Sequence, residues 1–217
     1  MQKIALVTGA SRGLGAALAE RLALGGWQVV AAARTVGALE ALDDRVTAAG
    51  MPGAGGLTLA PMDITDVDAM RHLCRSVHDR WGGLALWAHA AVHAAPLAPA
   101  GSLDARDWEK SVRTNATATA ALVPLVEPLL RARKGSALFF DDPRAGQKFF
   151  GAYGATKAAQ MALARSWAAE TARIGPRVVI ARPAPMATAT RARFFPGEDR
   201  SVLADPRAEA HRILDAL

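Results

Sequence analysis

A single cysteine, Cys74, stands among the 217 residues of the chain. No internal disulfide can form and no zinc site can be assembled from paired thiolates, which fits a reducing compartment. A lone cysteine in a helical pattern reads as core filler. Long hydrophobic runs are missing as well. No stretch reaches the roughly 18 uninterrupted apolar residues of a membrane span, and Met1-Gln2-Lys3 leads into a strand pattern with no cleavable signal. These absences predict a soluble, cytoplasmic protein with no membrane partner and no metal site. Basic residues outnumber acidic ones by 26 to 20, a formal charge of +6, but the excess is scattered and mostly arginine. A nucleic-acid surface shows a concentrated stripe or a reading motif. Neither is present, so nucleic acid is not an expected partner, while a local site for an anionic ligand stays open.

What the chain does have is the material for one core. Half of it is apolar (51%) and 21% is charged, a balance and length that predict one domain over 1–217. Short apolar runs alternate with helix-length amphipathic segments. Strand patterns fall at Lys3–Thr8, Gln28–Arg34, Leu57–Met62, Leu84–His89, Ser136–Asp141 and Arg177–Arg182. Helix patterns fall between them at Gly13–Leu24, Val36–Ala49, Asp66–Trp81, Ala105–Leu130 (broken near Asn115) and Ala152–Ile174. This alternation predicts an α/β fold, a doubly wound parallel sheet of about six strands with helices on both faces. Right-handed crossovers then favour the strand order 3-2-1-4-5-6. Ala49–Gly56 reads as a Gly-rich turn, and Thr188–Pro206, which has little periodicity, as a mobile lid over a substrate.

Thr8-Gly9-Ala10-Ser11-Arg12-Gly13-Leu14-Gly15 follows the first strand pattern and opens the first helix. A dinucleotide pyrophosphate needs backbone N–H groups that can be approached closely and the positive end of a helix dipole. Gly9, Gly13 and Gly15 permit that approach, and Ser11, Arg12 and Leu14 share the turn, which makes this a Rossmann-type cofactor site. An NAD-binding chain usually ends its second strand with a carboxylate for the ribose 2′-hydroxyl. Here Arg34 holds that place and Arg12 lies in the loop, and guanidinium forks suit a 2′-phosphate, so NADP(H) is the expected cofactor. Asp63, at the end of the third strand pattern, reads either as an adenine contact or as a cap before Thr65 and Asp66.

Tyr153-Gly154-Ala155-Thr156-Lys157 opens a helix after the fifth strand, and its i, i+4 spacing puts Tyr153 and Lys157 on one face. A phenol with a pKa of about 10 is a poor acid–base group near neutrality unless a neighbouring ammonium favours its ionised form. With the Thr8–Gly15 turn, Asp63, Asn115, and Pro183 followed by Thr188, the chain resembles the short-chain dehydrogenases/reductases over nearly its whole length. That resemblance implies that Tyr153 exchanges a proton with the substrate as hydride moves. It implies that Lys157 holds the nicotinamide ribose and lowers the phenol's pKa. It further implies that Asn115 kinks its helix and anchors a water, that Pro183 and Thr188 border the nicotinamide, and that Thr188 contacts the carboxamide.

Three departures from the family pattern follow. Asn-Asn-Ala-Gly after the fourth strand reads Ala88-His89-Ala90-Ala91, with His89 expected as a satisfied structural histidine. No apolar strand follows Asp205–Leu214, so the seventh strand of many relatives is not expected. A homo-oligomer is then expected through the long helices around Asn115–Leu130 and Ala152–Ile174. The family's serine after the fifth strand is absent from Ala137-Leu138-Phe139-Phe140-Asp141-Asp142-Pro143. Counting forward from Gly135 puts Asp142 in its place, whereas counting back from Tyr153 gives Phe140. An ionised carboxylate beside a developing alkoxide repels it but favours a protonated C=N group, and in this the chain looks like the pteridine reductases. The other reading of Asp141 and Asp142 is an ordinary turn before Pro143.

The expected substrate pocket is apolar with some arginine character, lined by Ala91–Pro96, Phe149, Phe150 and Thr188–Phe195, including Arg191 and Arg193. The expected function is an NADP(H)-dependent oxidoreductase acting on a small carbonyl or C=N substrate, with Asn115, Tyr153, Lys157 and Asp142 as catalytic candidates. The alternative is a dinucleotide-binding sensor or scaffold of the same fold that has lost catalysis.

Overall fold

The structure, a computed structural model, describes residues 2–51 and 53–217. Met1 and Pro52, parts of the expected lead-in and of the Ala49–Gly56 turn, lie outside the described residues. Six apolar runs form β1 (Ile4–Thr8), β2 (Gln28–Ala33), β3 (Leu57–Pro61), β4 (Leu86–His89), β5 (Ser136–Phe140) and β6 (Arg177–Ala181). They pair in parallel in the order β3-β2-β1-β4-β5-β6, as the alternating pattern predicts. The strand ends differ by one or two residues from the sequence reading: Arg34, Asp141 and Arg182 fall just past their strands. All five residues of β1 are buried, which is why the run shows no polar alternation: helices cover both of its faces.

Alternate residues of the strands feed two cores. Ile4, Leu6, Trp87 and Phe139 point to one face, where α3 (Val67–Trp81), α5 (Ala118–Ala132) and α6 (Gly151–Thr171) close over them. Val7, Val29, Ala31 and Leu138 point to the other, packed beneath α1 (Gly13–Leu24), α2 (Val36–Ala48) and α8 (Pro206–Asp215). Local signals set the helix ends. Asp66 Oδ1 accepts from Ala69 N at 2.9 Å, and Gly82 ends α3 at φ +75°, a left-handed turn that favours glycine. Cys74 is buried in the first core, where burial pushes its thiol up to about 11; it is the expected filler.

The expected break near Asn115 takes the form of a π-helical turn, Val112–Thr117, between α4 (Ala105–Ser111) and α5, so Asn115 sits in a widened turn of the helical path. Thr188–Pro206 contains short elements that the sequence reading did not assign. It holds α7 (Ala189–Phe194) and a 3₁₀ turn at Arg200–Val202, segments too short to display a period in sequence. α8, which the sequence reading left without an element, begins at Pro206 with Asp205 as its cap. Its Ala210 and Ile213 are buried beside α1, and its buried Glu209 accepts a hydrogen bond from Ala184 N at 2.9 Å.

Trp87, His89, Phe139 and Trp167 form a cluster of edge-on and tilted rings with centroids 5.0–6.3 Å apart. Truncating the fully buried Phe139 removes ring contacts on three sides. Phe139→Ala is expected to lower the unfolding free energy by about 3–5 kcal/mol, measured by urea denaturation. A loss below about 1 kcal/mol, the level of an ordinary surface change, would contradict this packing.

Candidate active site

At the carboxyl ends of the strands, where the order reverses between β1 and β4, lies a cleft of about 650 Å³. Its floor is the glycine turn. Gly9 has φ +84°, and a Cβ there would come within 2.5 Å of Ala91 N. Gly13 has φ +55°, and a Cβ there would lie 3.3 Å from the Thr188 methyl group. A Cβ on Gly15 would overlap the Gly9 carbonyl. The turn is thus wedged against the loop after β4 and the root of α7, with its backbone exposed to the cleft. Arg12, at the N-cap of α1, makes no side-chain cap, and no acidic residue stands in the first turn. The helix N-terminus therefore presents open N–H groups and positive dipole to an anion.

Arg34 follows β2 into the cleft. Its side chain is 60% exposed, with Nη1 3.7 Å from Asp63 Oδ2. Asp63 accepts from Thr65 N at 2.9 Å, so it organises its own turn while lining the cleft, and the cap of α3 is Asp66 instead. Burial pushes the Asp63 carboxyl upward, but the Thr65 hydrogen bonds and Arg34 outweigh it and hold the group below the usual carboxylate range. Ser11, Arg12, Leu14, Lys157, Pro183 and Thr188 line the same cleft.

Tyr153 and Lys157 stand one turn apart on α6, both buried and both at the cleft wall. The Tyr153 hydroxyl donates to Asp142 Oδ2 at 2.9 Å, and Asp142 Oδ1 lies 3.2 Å from Arg144 Nε. Of the two residues reached by counting, Asp142 has its side chain against the phenol. Asp141 turns away to Arg182 at 2.9 Å and Arg165 at 3.7 Å. Phe140 meets the site through its backbone, accepting from Lys157 Nζ at 2.6 Å.

In this geometry the Lys157 ammonium is directed at acceptors other than the phenol. The ammonium donates to the Phe140 carbonyl and to Gln160 Oε1, each at 2.6 Å, while the phenol faces a carboxylate. Burial, and then Asp142, push the Tyr153 hydroxyl well above its ordinary value. Burial pushes Lys157 down to about 8, against the opposing pull of Asp142 and Asp141.

Asn115 is fully buried behind the cleft wall. Its Oδ1 accepts from His93 N at 2.7 Å, and its Nδ2 donates to His93 O and Thr156 Oγ1, each at 2.9 Å. It therefore ties the loop after β4 to α6. Its backbone carbonyl accepts from Thr119 Oγ1 at 3.0 Å. His89 is buried with both ring nitrogens engaged, Nδ1 2.7 Å from Thr8 Oγ1 and Nε2 3.0 Å from Thr119 Oγ1. Burial and then the Lys157 charge push it down to about 3, so it is neutral and structural, as the sequence suggests.

α7 closes over the phenol. The Phe194 ring lies 4.8 Å from that of Tyr153, and Arg191 grips Glu198 at 2.6 Å. Thr188 Oγ1 accepts from Arg191 N at 3.2 Å as the cap of α7. The expected lining changes accordingly. Phe149 is exposed, Phe150 packs beneath Phe194, and Arg193 donates to Ala94 O at 2.8 Å; of the expected segment Arg191 and Phe194 line the cleft, and Arg144 joins them. Sequence reasoning missed Arg144, Thr119 and Gln160; only Gln160 had a signal, its i+3 spacing from Lys157 on one helix face.

The family description "short chain dehydrogenase" matches residues 3–199. The chain belongs to the short-chain dehydrogenase family. Serine 3-dehydrogenase of Rhizobium radiobacter is 31% identical over 155 residues, covering 70% of this chain and 59% of that one. NADP-dependent 3-hydroxy acid dehydrogenase of Salmonella typhi is 29% identical over 158 residues, 71% of this chain and 61% of that one. The match thus covers less than two thirds of either relative. A metagenomic short-chain oxidoreductase solved in complex with NADP superposes with a TM-score of 0.80 at 25% identity, over 99% of this chain and 89% of that one.

Tyr153 is the only tyrosine of this short-chain dehydrogenase, so tyrosinate absorbance reports that group alone. The native chain is expected to ionise its tyrosine only at a pH above the ordinary value of about 10. Removing the facing charge in Asp142→Asn is expected to lower that midpoint. Identical titrations for the two chains would show that Asp142 does not face the phenol.

Proposed function

We propose that this short-chain dehydrogenase is an NADP(H)-dependent oxidoreductase acting on a small carbonyl or C=N substrate, with Tyr153 as proton donor or acceptor assisted by Lys157. The observation that carries the proposal is the placement of the Tyr153 hydroxyl and the Lys157 ammonium in the same cleft as the glycine turn. A dinucleotide fits the residues present. The turn is a cradle that side chains at Gly9, Gly13 or Gly15 would fill, and the open α1 N-terminus suits a pyrophosphate. Ser11 and Leu14 border that cradle, Arg12 and Arg34 would hold a 2′-phosphate, and Asp63 borders the adenine side. Lys157, Pro183 and Thr188 border the nicotinamide end. The name of the Salmonella relative and the NADP complex of the metagenomic oxidoreductase support the choice of cofactor. When bound, the nicotinamide supplies or takes up the hydride.

The chain's own residues handle the proton and the orientation. A phenol held above its ordinary pKa stays protonated near neutrality, which suits proton donation and hence reduction. Asp142 accepts the phenol's hydrogen bond and carries a charge that opposes a developing alkoxide but favours a substrate nitrogen bearing a proton. Asn115 acts from behind, by holding His93 and Thr156 in place. Phe194 and Phe150 pack against the phenol ring and limit water there. We further assign the protein to the cytoplasm, where a free buried Cys74 is suited to reducing conditions, and to a homo-oligomer joined through α5 and α6. The missing serine after β5 and the Ala88-His89-Ala90-Ala91 departure favour a second reading, a cofactor-binding sensor without turnover.

Two experiments test these assignments. Arg34→Asp is expected to weaken NADPH binding about tenfold to a hundredfold while changing NADH binding far less, measured by fluorescence titration. Equal losses would remove Arg34 from the 2′-phosphate site. The wild-type chain is expected to oxidise NADPH with members of a panel of aldehydes, ketones, cyclic imines and pterins, and Tyr153→Phe to lose about 10²–10⁴-fold in rate with cofactor binding retained. Asp142→Ser is expected to raise ketone turnover relative to imine turnover. Cofactor binding with no turnover of any compound would establish the sensor instead.

A further inference from the structure

Behind the cleft, the hydrogen bonds that reach Lys157 run in one direction only. Its ammonium has three N–H donors and no acceptor. Two are taken by Phe140 O and Gln160 Oε1, both at 2.6 Å, which leaves one for the cleft. Gln160 lies one helical turn beyond Lys157 on α6 and is 1% exposed. Its other end, Nε2, donates to Thr119 Oγ1 at 2.9 Å.

Thr119 has a single hydroxyl proton, and it goes to Asn115 O at 3.0 Å. Toward Gln160 and His89 it can therefore only accept. His89 Nε2 must carry its proton, and Nδ1 accepts from Thr8 Oγ1. The Gln160 amide then has one permitted orientation. Reversed, it would set an NH₂ against the ammonium and an oxygen against a hydroxyl with no proton left to give. Both clashes would be buried, where unpaired polar groups cost most.

We propose that Gln160 is the positioning residue for Lys157: its amide oxygen, locked in direction by Thr119, holds Nζ against Phe140 O so that the remaining N–H faces the cleft. This inference rests on the reading of Lys157 as a cofactor contact. The charged groups around Nζ are Asp141 and Asp142, from the segment after β5, and the neutral His89 of β4; the π-helical turn and α5 contribute the uncharged Asn115 and Thr119. Gln160 is thus a dipolar acceptor added to two more distant carboxylates. Removing it strips the protonated form of a direct partner in a place that water barely reaches.

The test uses the full chain labelled with ¹⁵N-lysine, whose side-chain nitrogen shift is followed against pH, with Lys3, Lys110, Lys134 and Lys148 as internal references. The wild-type Lys157 is expected to titrate near 8. Gln160→Leu is expected to lower that midpoint by about one unit or more. Gln160→Glu, nearly isosteric and negatively charged, is expected to raise it; should the leucine variant not fold, the glutamate variant decides. NADPH affinity, followed by quenching of tryptophan fluorescence, is expected to fall as pH rises through the same midpoint in each chain, because deprotonation removes the positive charge and one N–H from the side that faces the cleft. The fold responds with the opposite sign. The unfolded chain binds this proton more tightly, so its contribution to stability grows as pH rises from about 8 toward the free-lysine value. A Lys157 midpoint unchanged in both variants overturns the proposal whatever NADPH does. A midpoint that moves while NADPH affinity does not upholds the grip of Gln160 on Lys157 and counts against the cofactor assignment instead.

Discussion

Lys157 carries a positive charge at a point that is 6% exposed, and a charge so far from water is tolerated only where fixed dipoles and opposite charge replace hydration. Each neighbour meets that demand from a different element. The last carbonyl of β5 and the amide of Gln160 bind the ammonium directly, and Asp141 and Asp142 add negative potential from the next two residues of the chain. Satisfying one buried cation thereby sets the end of β5 against α6, and through Thr119 and His89 it reaches α5, β4 and β1. The polar seam between these elements is continuous, whereas the aromatic cluster of Trp87, Phe139 and Trp167 beside it supplies bulk without direction.

The phenol lives under a different rule. Tyr153 is surrounded by Phe150, Phe194 and the carboxylate of Asp142, so both low polarity and charge keep its proton in place. The Asp142 carboxylate accepts the phenol's hydrogen bond, and Arg144 lies 3.2 Å from its other oxygen. This corner and the Lys157 seam share α6 and the negative potential of Asp141 and Asp142, although their direct hydrogen-bond partners differ.

The sheet, its order and the glycine turn were legible in the sequence because each depends on local regularity: apolar runs buried on both faces, helical periods between them, and glycines where the backbone needs φ above zero at Gly9 and Gly13. Placement of Asp142 was not. The two residue counts disagreed, and the spacing between β5 and α6 is fixed by a turn that Arg144 and Gln147 close on themselves, with Gln147 Nε2 donating to Pro143 O. α7 escaped notice because six residues give fewer than two turns, and near Asn115 the pattern showed a break but not its π-helical form. The i+3 spacing puts Gln160 beside Lys157, but the direction of its amide could not be read. It follows from the direction of a hydroxyl proton on Thr119, which lies 41 positions away in the chain.

The methyl group of Thr188 rests against Gly13, and the same residue begins the short helix that carries Phe194 over the phenol. Floor and roof of the cavity therefore meet at one residue, so a bulkier side chain in place of Thr188 would have to displace the glycine turn or the short helix.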